Sequence, residues 1–135
     1  MNWLSKLCVL GLLVCLLSAG PAQAAPYNTD PYAPSVGYAS YYYVPGGITA
    51  SGDELTYDDW TMASRDLAFG TQVTVCYVTC AYNVTVTDWG PAEWTGRNID
   101  LNMIVAEEIG LAPTVGVDYV TYEVTGYDPY YLYNN

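Results

Sequence analysis

Fourteen carboxylates, three basic side chains and no histidine define the chemistry open to this 135-residue chain. Without an imidazole there is no Ser-His-Asp or Cys-His nucleophile and no histidine-ligated metal. Proton transfer falls to the carboxyl groups. Asp88 closes an alternating run in which Val84 and Val86 share one face, so its side chain has barrel-facing parity at the strand's end. On that pattern alone, Asp88 bonds the amides of the Trp89-Gly90-Pro91 turn. Trp89, Trp94 and the Tyr41-Tyr42-Tyr43 run offer flat faces with polar edges, suited to stacking on sugar rings. On a strand Tyr41 and Tyr43 take one side and Tyr42 the other. Arg97 can hold Asp100 or an acidic group of a ligand, whereas Arg65 has Asp66 beside it. Cys76 and Cys80 flank a hairpin at disulfide spacing, and two thiols are too few for a structural metal site.

The formal charge of −11 excludes binding to the phosphate backbone of nucleic acid. With 52% hydrophobic and only 13% charged residues, the chain is composed to fold. Its length suits one domain. Residues 1–24 read as an export signal. One positive charge in Met1 to Lys6 precedes an apolar Leu7 to Leu17, and Ala22-Gln23-Ala24 is a small-x-small cleavage site. The apolar run falls short of the ~20 residues that a spanning helix needs. Cys15 follows Val14, which is not the small residue a lipoprotein site requires. The expectation is a secreted or periplasmic protein with no membrane anchor. Cleavage removes Lys6, Cys8 and Cys15.

The elements that must position these residues follow from periodicity and punctuation. Residues 25–35 form a Pro-, Ala- and Tyr-rich leader. Val36 to Tyr43 reads as a strand ended by Pro45-Gly46-Gly47, and Thr49 to Asp59 as an acidic loop. Trp60 to Asp66 is expected to hold one helical turn. Thr71 to Tyr77 and Tyr82 to Asp88 alternate cleanly and form a hairpin. Residues 89–98 are a loop. Asn102 is the N-cap of a helix from Met103 to Ile109, with Gly110 as its stop. Val117 to Thr125 is a last strand, followed by a Tyr- and Asn-rich tail (127–135) without periodicity. Several short strands and one short helix point to a small β-barrel.

The order of motifs from Tyr38 to Thr125 is specific: ASYY (39–42), TASG (49–52), TMASRDLAFGT (61–71), VTVTDWGP (84–91) and GRNIDL (96–101). It resembles the RlpA-like double-psi β-barrel family of lytic transglycosylases, relatives of expansins and barwin-type barrels. The resemblance implies a mainly β fold over residues 36–126, a six-stranded double-psi barrel with one or two short helices. It also implies a groove for peptidoglycan or another cell-wall polysaccharide, in a monomer that needs no cofactor or metal. The catalytic positions it implies are Asp88, Asp53 in place of the family's glutamate, and Ser64 in place of its histidine. Trp89, Trp94, Arg97 and Tyr41 are the expected substrate contacts. Trp89 also stands where the family has arginine, and Thr56 where it has aspartate.

A transglycosylase lets the muramyl 6-hydroxyl attack its own anomeric carbon, so one acid/base carboxyl suffices where hydrolases use two. Partial burial at the strand's end would favour the acid form of Asp88. The resemblance therefore implies endolytic cleavage to 1,6-anhydro-muramyl ends. The alternative is a non-catalytic, expansin-like wall-binding or wall-loosening barrel, to which Ser64 points. A third possibility, a structural or inhibitor-like barrel, requires an occluded groove.

Overall fold

A computed structural model describes residues 33–134. The expected signal and most of the leader lie outside the described residues. Six strands close into a barrel: β1 (Ser35–Tyr42), β2 (Thr61–Ser64), β3 (Thr71–Cys76), β4 (Cys80–Asp88), β5 (Ile99–Asn102) and β6 (Asp118–Tyr127). Around the barrel the order is β1-β5-β2-β4-β3-β6. The pairs β1/β5 and β2/β4 are parallel and the other four antiparallel. This is the mainly β, six-stranded barrel that the sequence implies. Two short helices, α1 (Met103–Ile109) and α2 (Tyr130–Asn134), accompany it.

Alternation explains the hairpin of β3 and β4. Val73, Val75, Val84 and Val86 all turn inward and meet Met62, Ile99 and Leu101 in the core. Cys76 and Cys80 are register partners at its tip and are bonded as a disulfide.

The segment from Trp60 to Asp66 departs from expectation. Its centre is strand β2, not a helical turn. Met62, Ala63 and Ser64 are buried because β2 is sandwiched between β4 and β5, so no face is left for a helix to present to water. Four residues are too few for a period to be read, and the closing of the barrel overrides local propensity.

A bulge decides where Asp88 points. Met62 pairs with Val86, yet Ala63 pairs with Asp88, so Thr87 is an extra residue on β4. Val86 and Thr87 are both buried in sequence, and Asp88 is turned to the rim. The simple parity expected from Val84 and Val86 is thus broken one residue before Asp88.

Two anchors hold the acidic loop of residues 49–59 over this rim. The amide of Ser51 donates to the Thr87 carbonyl at 3.0 Å. Buried Asn102 donates its side-chain amide to Thr56 O and Asp59 O, each at 2.8 Å, while its Oδ1 caps Met103 N, the expected start of α1. Gly110 ends that helix at φ 85°. At the other end of the chain, β6 continues to Tyr127. The tail then turns back through Asp128, whose amide donates to Gly70 O at 2.7 Å.

Candidate functional site

At the end of β4 the Asp88 carboxylate takes three hydrogen bonds. Oδ1 accepts from the amides of Trp89 and Ala50, both at 2.9 Å. Oδ2 accepts from the Tyr42 hydroxyl at 3.2 Å. The first of these is the turn contact read from the pattern. The second comes from the TASG loop and the third from β1, so three separate elements converge on one side chain. Burial, and then the charge of Asp88, push the Tyr42 phenol well above the usual tyrosine range, which keeps it a donor. Since both amides use Oδ1, Oδ2 is the oxygen with room for a further partner.

Asp88 and Tyr42 line a cavity of about 220 Å³ whose other walls include Val44, Ile48 and Leu55. A second cavity, about 270 Å³, is lined by Asp53, Glu54, Asp59, Thr61, Thr87 and Tyr131. Thr49 borders both, so the two cavities are neighbours. Asp53 Oδ2 accepts from Ser51 Oγ at 2.8 Å and from the Tyr131 hydroxyl at 2.7 Å. Burial first, and then the bond to Asp53, raise the Tyr131 phenol above its ordinary range.

The other expected site residues scatter. Ser64 is 1% exposed, and its Oγ accepts from the amides of Asp66 and Leu67, each at 3.2 Å. It borders neither cavity. Tyr41 packs against the core and its hydroxyl donates to Pro113 O at 3.3 Å, away from Asp88. Arg97 pairs with Asp100, Nε to Oδ1 at 3.4 Å, and Asp100 also accepts from Ser40 Oγ. Arg65 reaches the Pro91 carbonyl at 2.9 Å. Trp89, 59% exposed, stands edge-on to Phe69 at 5.3 Å, and Trp94 is 89% exposed.

Sequence reasoning takes Tyr42 only as one of a run of sugar-stacking faces, not as a partner of Asp88, and does not single out Tyr131. Tyr42 carries a signal that was there to read, its opposite parity to Tyr41. Tyr131 carries none, because its place depends on a tail without periodicity folding back over Gly70.

Residues 34–122 match the lytic transglycolase family, from the start of β1 to the middle of β6. The chain belongs to the lytic transglycolase family. With its closed six-stranded barrel, it is an RlpA-like double-psi member. No curated relative matches the chain in sequence. Family membership makes a transglycosylase-like or expansin-like barrel the setting of the Asp88 site, and a cell-wall polysaccharide the class of substrate. No helix among the described residues is long and apolar enough to cross a membrane.

Proposed function

We propose that this barrel is exported and cleaves peptidoglycan strands endolytically, with Asp88 as the single acid and base. The observation that carries the reading is the Asp88 carboxylate, held by Ala50 N, Trp89 N and Tyr42 on the wall of a groove. In its protonated form Oδ2 donates to the glycosidic oxygen as the bond to the anomeric carbon breaks. The muramyl 6-hydroxyl then adds to that carbon and returns its proton to Oδ2. A 1,6-anhydro end and a free hydroxyl on the other fragment result, and no water is consumed. Asp53, steadied by Ser51 and Tyr131, is a second polar partner in the neighbouring cavity. Trp89 and Trp94 supply exposed faces for neighbouring sugars.

Ser64 favours a second reading, an expansin-like barrel that binds or loosens wall glycan without cutting it. Its hydroxyl is committed to two backbone amides of its own turn and brings no titratable group to Asp88. Incubation of the purified protein with peptidoglycan separates the two. Products carrying 1,6-anhydro-muramyl ends, seen by mass, support the transglycosylase. Retention on the glycan without such products selects the expansin-like reading.

A further inference from the structure

The outer face of β1 carries an aromatic pair that cleavage at Asp88 does not use. Tyr38 and Tyr119 are register partners across β1 and β6, and their rings stack with centroids 3.8 Å apart. Both are exposed, Tyr38 to 38% and Tyr119 to 54%. A cross-strand aromatic pair braces the two strands, yet stacking leaves each ring one face that its partner does not cover. Val36, two residues before Tyr38, and Val117, two before Tyr119, are exposed as well. Four large apolar side chains gathered on one surface exceed the single, scattered apolar residues that an ordinary surface shows.

This patch is continuous with the Asp88 site. Ala39 and Tyr41 turn to the core, so alternation puts Tyr38, Ser40 and Tyr42 on the opposite side of β1. Tyr42 is the phenol that bonds Asp88 at 3.2 Å. Between the two ends Ser40 donates to Asp100, and Arg97 closes on the same carboxylate at 3.4 Å. The path thus runs from open ring faces, across a hydrogen-bonding step, to the carboxylate. Tyr38 and Tyr42 are four residues apart on β1, or about 13 Å along the strand, longer than one sugar ring and within the span of a short oligosaccharide.

We propose that the Tyr38–Tyr119 pair is a distal subsite, on which a sugar of the same glycan strand stacks while another lies over Asp88. The proposal rests on the glycan reading above and deepens it: the barrel grips an extended chain rather than a single disaccharide. A pyranose presents an apolar face of C–H groups that fits a tyrosine ring, and its hydroxyls suit the polar step at Ser40, Asp100 and Arg97. The path is linear and the strand polymeric, so one occupant covers both ends.

The test uses glycan chains of two and eight sugars cut from peptidoglycan, titrated by calorimetry into the full chain carrying Asp88→Asn so that nothing is cleaved. The expected result is tighter binding of the eight-sugar chain. Tyr38→Ala and Tyr119→Ala, added singly, should each weaken that chain about fivefold, the scale of one ring contact, and leave the two-sugar chain unchanged. Tyr119→Phe keeps the ring face and should bind as its parent does. Alanine variants that bind the eight-sugar chain undiminished make the pair a brace between β1 and β6 only, and overturn the subsite while the Asp88 site stands. Equal losses for both lengths also overturn it, since the rings then act through the fold. A dimer in sedimentation that Tyr119→Ala dissolves gives the patch to a second copy and overturns it too. If neither length binds this variant or the wild type, the glycan reading itself falls, and the subsite with it.

Discussion

Asp88 takes hydrogen bonds from three protein donors, and each comes from a different part of the chain. Tyr42 is the one that can be removed without touching the backbone. Tyr42→Phe should cost about 1 kcal/mol of stability, the net value of one hydrogen bond, and lower the cleavage rate severalfold by loosening Oδ2. Urea unfolding and initial rates on one peptidoglycan preparation measure the two effects. A rate unchanged beside a lost kilocalorie would make Tyr42 structural only. Ser64 should behave in the opposite way. Ser64→Ala leaves two amides of the Ser64–Leu67 turn without their acceptor, so about 1–2 kcal/mol of stability should go while glycan binding stays constant. A loss of binding without a loss of stability would put Ser64 back in the groove.

The elements show where sequence was legible. β3 and β4 were, because one side faces the core and the other does not, which writes a period of two. The start and stop of α1 were, because Asn102 and Gly110 satisfy the helix ends by local chemistry. β2 was not, since a four-residue strand buried between two neighbours carries no contrast between its faces. The site followed the same division. Asp88 could be picked from its motif, but the bulge that aims it depends on how β4 registers against β2. The tail is the extreme case. Gly70 sits at φ 88°, and a β-carbon there would come within 2.7 Å of Tyr131 Cβ and 3.1 Å of Asp128 O. Gly70→Ala should therefore destabilise the protein by about 1–3 kcal/mol and detach Tyr131 from Asp53. The Asp53 carboxylate resonance reports the detachment by NMR, and an unmoved resonance would mean that the tail is held elsewhere.

At the scale of the molecule, two half-buried phenols contribute to the response to alkali. The folded-state values of Tyr42 and Tyr131 lie above the ordinary tyrosine value of 10.0. Their contribution to stability is therefore complete below about pH 10 and is lost as pH rises through the folded values. The urea midpoint should fall above that pH, and the fall should be shallower in a Tyr42→Phe/Tyr131→Phe double variant; an equally steep fall would assign alkaline unfolding to other groups. The disulfide between Cys76 and Cys80 ties only a hairpin tip, so the barrel's integrity rests mainly on its core. Across the groove, everything returns to whether Asp88 transfers the proton. The most direct measurement compares wild type with Asp88→Asn on the same peptidoglycan, counting 1,6-anhydro-muramyl ends by mass while recording retention on the insoluble glycan. Asparagine keeps the shape and loses the transferable proton, so the anhydro ends should disappear while retention persists. Anhydro ends released by Asp88→Asn at the wild-type rate would contradict a role for Asp88 as the acid.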